Sequence, residues 1–268
     1  MRVFIINMAE SSTSANIVDR STYGSPRPDV ESRYQLIERI GSGGYGVVVK
    51  TRHIDSNTLM AMKLLRRDPT KGENEDAYRE SWNIYKAGQH ANIAVCYDYV
   101  PYSDTHSAIF MELFDTDLWD FIKHKSNRKD SVIVDVALQS ISGLAHLHSQ
   151  KPPMIHRDIK PHNILIKINS KTNAVVAKLS DFGISNILES SGLFEEPTME
   201  QLSCAYRSMV TTVGGRGTIL FLASEFFAAK DGRGLVNGRF RIDPSVDIFA
   251  MGLVYLCMFC YNTSDYGK

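Results

Sequence analysis

What this sequence most plainly lacks is an excess of charge of either sign. Its 30 Lys and Arg are matched by 30 Asp and Glu, so the formal net charge is zero. No global field draws the chain onto nucleic acid or an anionic membrane, and a nucleic-acid partner is not expected. Cysteine is also scarce. Cys96, Cys204, Cys257 and Cys260 are too few and too scattered for a disulfide framework, so a reducing, cytoplasmic compartment is expected. Long apolar runs are missing too. The longest, Ile248 to Tyr261, suits a buried helix and falls short of the roughly 20 residues that span a bilayer. Val3-Phe4-Ile5-Ile6 stops at Asn7, too early for a secretory signal core. Apolar residues at 43% and charged residues at 22% leave an ordinary globular chain, long enough to bury a large core.

Residues 8–33 are rich in Ser, Thr, Asn, Asp and Pro, so residues 1–33 are expected to be a mobile leader. From Tyr34 the pattern turns strand-like. Tyr34 to Ile40, the run Val47-Val48-Val49 and Leu59 to Leu65 predict three strands, with a turn at Asp55-Ser56-Asn57. Glu73 to Ala87 predicts a helix whose shared face holds Ala77, Glu80, Ile84 and Ala87. After Pro101 the chain becomes helical. Ile133, Ala137, Ile141, Leu144 and Leu147 form one stripe, ended by Pro152-Pro153. Strand-like pieces at 164–168 and 175–179, a polar tract over 184–216 and an apolar helix at 245–261 follow. The order predicts a small strand-rich half and a larger helical half.

Phosphate chemistry enters at Gly41-Ser42-Gly43-Gly44-Tyr45-Gly46, which fits G-x-G-x-x-G with Val48 behind it. Glycine lets backbone approach phosphate oxygens that a Cβ would repel. Most glycine runs are merely turns, so the flanks decide. A dinucleotide-binding turn should open into a helix, whereas this one opens into Val47-Val48-Val49. A Walker loop needs Gly-Lys-Ser/Thr, which is absent. A strand–glycine–strand hairpin over phosphates remains. Lys63, in the apolar context Met60-Ala61-Met62-Lys63, would reach α- and β-phosphates if an anion fixed it. Glu80 is the best placed anion, although a lone strand lysine or helix carboxylate is ordinarily solvated.

The strongest signal is Ile155-His156-Arg157-Asp158-Ile159-Lys160-Pro161-His162-Asn163. Asp158 can accept a proton from an attacking hydroxyl, and Lys160 can neutralise charge on a transferred phosphoryl group. Asn163 offers an amide oxygen to a hard metal. Asp181-Phe182-Gly183 then supplies a carboxylate that can hold Mg²⁺ between β- and γ-phosphates. Either triplet alone would read as a polar loop. Both, in this order behind the glycine hairpin and the lysine, point to phosphoryl transfer.

In these motifs the chain resembles a eukaryotic protein kinase over residues 34–262. The resemblance implies an α+β, bilobal fold, with a small antiparallel-sheet lobe (34–111), a hinge (112–117) and a larger helical lobe (118–268). It implies ATP and Mg²⁺ as cofactors. It places Val48, Ala61 and Leu165 beside the nucleotide, Met111 as the residue guarding the back of its pocket, and Glu112 and Phe114 at adenine. Asp117 would lie near the ribose. Arg157 resembles the arginine that meets a phosphorylated activation segment in many relatives. Lys160-Pro161-His162-Asn163 is similar to the serine/threonine class. The implied partners are ATP and a protein presenting Ser or Thr, with a homodimer left open. More narrowly, residues 142–149, 156–165 and 245–249 are similar to the kinase domain of endoplasmic-reticulum stress sensors that join kinase and ribonuclease. No ribonuclease activity follows from that likeness.

Some features depart from the family. Its Ala-Pro-Glu stands here as Ala223-Ser224-Glu225, and the resemblance implies that this Glu pairs with an arginine later in the large lobe than the residues present here. The large lobe is therefore expected to be truncated, with the 245–261 helix short of apolar cover. Ser208, Thr211 and Thr212 are phosphorylation candidates, and Thr218 resembles the threonine that contacts the catalytic loop. Cys257 and Cys260 read as packing rather than metal ligands. His146, His148 and His156 read as structural, and Trp82 and Trp119 as packing residues. Intact Lys63, Asp158, Asn163 and Asp181 favour an enzyme. The truncation favours the rival readings, a nucleotide-binding scaffold without turnover or a kinase fragment.

Overall fold

The structure is a computed structural model that describes residues 18–43, 46–66, 75–124, 127, 129–182, 186–187, 221, 223, 235–236, 239–240 and 243–260. Strands β1 (Tyr34–Gly43), β2 (Gly46–His53), β3 (Leu59–Arg66), β4 (Cys96–Pro101) and β5 (His106–Glu112) form an antiparallel sheet in the order β1-β2-β3-β5-β4. Strand residues alternate faces, and here both faces are covered. Val47, Val49, Met60, Met62, Leu64 and Phe110 pack on the outer side. Ile40, Val48, Ala61, Leu65, Ile109 and Met111 pack on the inner side. Lys63 lies between Ala61 and Leu65 in the two-residue repeat, so it points inward. Helix α3 (Glu75–Ala87) packs against β4 and β5.

The expected mobile leader is corrected for residues 18–33. They form helices α1 (Arg20–Tyr23) and α2 (Pro28–Arg33) against the outer face of the sheet. Val18 and Val30 join the core there, beside Tyr34 and Tyr102. Burying Val30 contributes about 1.5–3 kcal/mol. Arg33 Nη1 and Tyr34 Oη both donate to Asp98 Oδ2, at 2.9 and 2.7 Å, and Arg27 N–H donates to Tyr102 O at 2.8 Å. Polar composition hid this layer, because a few apolar contacts and one shared carboxylate suffice to hold it.

The larger half is built on α4 (Leu118–Lys123), α5 (Asp130–Ser149) and α6 (Ser245–Cys260). Strands β6 (Thr116–Asp117), β8 (Ile164–Ile168) and β9 (Val175–Leu179) form a sheet in the order β6-β8-β9. Two-stranded pairs join β7 (Met154–Ile155) to β10 (Asn186–Ile187), and β11 (Leu235–Val236) to β12 (Arg239–Phe240). Ile133, Ala137, Leu144 and Leu147 of the predicted α5 stripe are buried, and Ile141 packs at their edge. Val246, Ala250, Val254 and Cys257 bury one face of α6, whereas Ile248, Phe249, Leu256 and Phe259 are exposed on another. Cys257 is therefore a packing residue, its thiol pushed up to about 11 by burial and by Cys260, which is itself exposed. Trp119 packs at the core edge. Trp82 does not fit the packing expectation. It is 42% exposed, stacks on Tyr85 and holds Lys86 over its ring.

Candidate active site

The glycine hairpin forms as antiparallel β1 and β2, with Gly41 opposite Val48 and Gly43 opposite Gly46. Gly44 and Tyr45, at its tip, lie outside the described residues. Gly46 has φ +136°, and a Cβ there would fall 1.8 Å from Leu64 O, so only glycine lets β2 leave the turn beside β3. Ala61 pairs with Met111 and Lys50 across the sheet, and Val48 lies with Ala61 and Met111 in the inner cluster. Phe114 and Leu165 meet in a separate apolar cluster with Ala94.

Lys63 Nζ donates to both Glu80 carboxylate oxygens at 2.7 Å and to Asp181 Oδ1 at 3.1 Å. Lys63 and Glu80 are buried. Burial disfavours the ammonium, but the Asp181 and Glu80 carboxylates outweigh it and hold Lys63 above the ordinary lysine value. Burial likewise pushes Asp181 up, yet Lys63 and then Lys160 pull it below the usual carboxylate range. Both partners are therefore charged at neutral pH. Asp181 has φ +65° and Arg157 φ +67°, a left-handed backbone that costs non-glycine residues on the order of 1–2 kcal/mol each. Asn83, one turn after Glu80, donates to Phe182 O at 3.0 Å and ties α3 to the same segment.

The catalytic-loop motif sits between β7 and β8, and its last residues form a 3₁₀ turn, Pro161–Asn163. Lys160 Nζ donates to both Asp158 oxygens, at 3.0 and 2.8 Å. Asn163 Nδ2 donates to Asp158 O and Oδ2, both at 2.8 Å, so its amide oxygen is the atom left for a cation. Ser180 N–H donates to Asn163 O at 2.9 Å, which brings the Asp181 segment alongside. His156 Nε2–H donates to Ser180 O at 3.0 Å while Nδ1 accepts Asp158 N–H, a bracing role. Lys63, Glu80 and Asp181 thus form one bonded set and Asp158, Lys160 and Asn163 a second, joined through the backbone of Ser180. An Asp carboxylate and an Asn amide oxygen are hard donors and fit Mg²⁺, which ordinarily takes only one or two side chains beside substrate phosphates.

Several supporting residues escaped the sequence reading. Lys178 on β9 bonds Glu112 at 2.7 Å and ties the end of β5 to the strand that leads to Asp181. Asp247 accepts His156 and Arg157 N–H, each at 2.8 Å, and meets His148 Nε2 at 2.9 Å. A lone acid opening an apolar helix was the available signal. Gly183, Cys204, Ser208, Thr211, Thr212, Thr218, Ser224 and Glu225 lie outside the described residues.

Asp117 is fully buried. Its Oδ1 caps α4 by accepting Asp120 N–H at 2.8 Å, and Oδ2 has no hydrogen-bond partner among the described residues. Burial pushes its carboxyl up to about 7. The folded chain therefore holds a proton that the unfolded chain releases near pH 4, so this group costs stability increasingly from about pH 4 to 7. Asp117→Asn keeps the cap and removes that cost. Melting curves should show this variant and wild type alike near pH 4 and the variant ahead by about 2–4 kcal/mol at pH 8. A gap independent of pH would refute the assignment.

Residues 34–265 match the protein kinase domain family. The chain belongs to the protein kinase family. Serine/threonine-protein kinase tousled-like 2 of Mus musculus is 26% identical over 242 residues, covering 87% of this chain and 31% of its own length. Serine/threonine-protein kinase cds1 of Schizosaccharomyces pombe is 27% identical over 232 residues, 85% of this chain and 44% of its own. Misshapen-like kinase 1 of Rattus norvegicus is 35% identical over 164 residues, 58% of this chain and 12% of its own. The chain spans less than half the length of each. The kinase family explains the five-stranded sheet and the helical half beneath it, and no helix among the described residues is long and apolar enough to cross a membrane.

Proposed function

We propose that this kinase transfers the γ-phosphoryl group of ATP to Ser or Thr hydroxyls of a protein. The observation that carries the proposal is that the Glu80–Lys63–Asp181 set and the Asn163–Asp158–Lys160 set are joined by the backbone bond from Ser180 N–H to Asn163 O. The Lys160-Pro161-His162-Asn163 run and the serine/threonine names of the relatives support the choice of hydroxyl. The likeness to stress-sensor kinases stays with the motifs at 142–149, 156–165 and 245–249. Free Cys96, Cys257 and Cys260 suit a cytoplasmic setting.

Most of the chemistry is positioning and neutralisation of charge. Lys63, held by Glu80, meets the α- and β-phosphates, and the glycine hairpin covers them. Asn163 and Asp181 would hold Mg²⁺, which when bound would neutralise phosphate charge. Asp158 orients the attacking hydroxyl and takes its proton. Lys160, already on Asp158, steadies the charge that develops on the transferred group.

The test is transfer from Mg-ATP to a generic basic protein, with Asp181→Asn beside wild type. The variant should need at least about tenfold more Mg²⁺ for half-maximal ATP binding, because a neutral amide replaces the one carboxylate in the donor pair. An unchanged Mg²⁺ requirement would remove Asp181 from the metal site.

A further inference from the structure

Strand β9 is an edge strand, and its open side is completed by groups from two other elements. From α5, Gln139 Oε1 accepts Ala177 N–H at 2.8 Å, and Gln139 Nε2 donates to Val175 O at 3.0 Å. From the junction after α3, Asn92 Nδ2 donates to Ala177 O at 2.9 Å, Asn92 O accepts Leu179 N–H at 2.9 Å, and Ala94 N–H donates to Leu179 O at 2.9 Å. Asn92 Nδ2 also reaches Gln139 Oε1 at 3.3 Å. The amide of Gln139 thus stands in for a neighbouring strand residue, one acceptor and one donor, and joins β9 to the α3–β4 junction.

The rest of that α5 face is shaped for the same contact. Gly143, one turn beyond Gln139, lies so close that a Cβ would fall 2.6 Å from Asn92 O and 3.3 Å from the Leu179 side chain. His146, the next residue along this face, donates from Nε2 to Ala87 O at 2.7 Å and stacks on His90 at 4.6 Å. Residues 139, 143 and 146 share a face by helical spacing. They grip the C-terminal end of α3, the helix that carries Glu80, together with the strand that ends two residues before Asp181.

We infer that Gln139 is a positioning residue for the metal-binding carboxylate. It acts through β9 and does not touch the phosphates. Asp181 carries a positive φ that the surrounding structure must impose, and β9 is the frame on one side of it. Loss of Gln139 strips Ala177 N–H and Val175 O of their partners and loosens Asn92. The strand then no longer holds Asp181 in register with Lys63 and Glu80. This inference rests on the kinase reading for what Asp181 does, and its test does not need turnover.

The experiment compares wild type, Gln139→Ala, Gln139→Glu and Gly143→Ala with Val30→Ala, which weakens the remote outer face of the sheet. Two readouts are taken: the Mg²⁺ concentration that half-saturates the ATP-induced rise in melting temperature, and amide hydrogen exchange over residues 175–181. Gln139→Ala should raise the Mg²⁺ requirement about tenfold, the scale seen when a partner behind a metal ligand is lost. It should also speed exchange at Ala177 and Leu179. Gln139→Glu keeps the acceptor for Ala177 and should fall between, and Gly143→Ala should move in the same direction as Gln139→Ala. Val30→Ala should lower the melting temperature with the Mg²⁺ requirement unchanged. If Gln139→Ala behaves like Val30→Ala, the residue is structural only and the inference fails. A wild-type chain that binds ATP with Mg²⁺ but transfers no phosphate would sink the kinase reading and leave this comparison intact. One that shows no Mg²⁺-dependent ATP response would overturn both.

Discussion

Asp158→Asn should abolish nearly all phosphoryl transfer while leaving nucleotide binding close to wild type. The carboxylate is buried and shared: Lys160 Nζ lies at 3.0 and 2.8 Å from its two oxygens, and Asn163 Nδ2 at 2.8 Å from one. An amide of the same shape keeps one acceptor for these neighbours, so the loop should hold. It cannot take a proton, and loss of a positioned base costs about 10²–10⁴ in rate. On the proposed reading Lys63 would meet the phosphates and Asn163 and Asp181 would hold the metal, and the substitution leaves all three of those side chains in place. Steady-state transfer at saturating Mg-ATP and the ATP-induced thermal shift separate the two effects. Activity within about tenfold of wild type would show that another group takes the proton. A lost thermal shift would mean that the substitution disturbed the metal pair instead.

The site was legible where chemistry and periodicity agreed locally. Lys63 stood out because it interrupts an apolar strand, and the alternation of β3 does turn it inward between Ala61 and Leu65. Glu80 followed from the helical repeat it shares with Ile84 and Ala87, both buried. Asp158, Asn163 and Asp181 were readable as types at a spacing. That Asn163 spends its amide hydrogens on Asp158 and keeps its oxygen is visible only in the fold. Partnerships between distant elements were hidden. Nothing local distinguishes Lys178 from a solvated strand lysine, or Gln139 from a surface helix residue, because the meaning of each lies in a partner far along the chain. The 18–33 layer was misread for the same reason, since Val30 and Arg33 gain their value from Tyr102 and Asp98. Trp82 misled in the other direction: a large apolar ring predicts burial, and here it lies on an exposed helix face with Tyr85 and Lys86.

Asp247→Ala should be the most damaging single change to stability among residues remote from the phosphates. The side chain, 1% exposed, sits in the first turn of α6 and receives His156 and Arg157 N–H at 2.8 Å each, with His148 Nε2 at 2.9 Å. Those two amides belong to the loop that presents Asp158. Arg157 is held there at φ +67°, which a free loop would relax. Alanine leaves both amides buried without their acceptor, at about 1–3 kcal/mol each, and leaves a small cavity beside α5. A loss of about 3–5 kcal/mol follows, equivalent to a melting temperature lower by on the order of 10 °C for a domain of this size. Asp247→Asn keeps one acceptor oxygen but turns an amide N–H₂ toward an N–H donor, so it should recover only part of the loss. Activity should fall in both variants further than the unfolded fraction accounts for, because the loop relaxes even in folded molecules. Chemical denaturation of the three proteins, with turnover measured well below each midpoint, tests both statements. A loss under about 1 kcal/mol for Asp247→Ala would mean that water or another side chain satisfies the two amides. In that case α6 would not set the geometry of the catalytic loop.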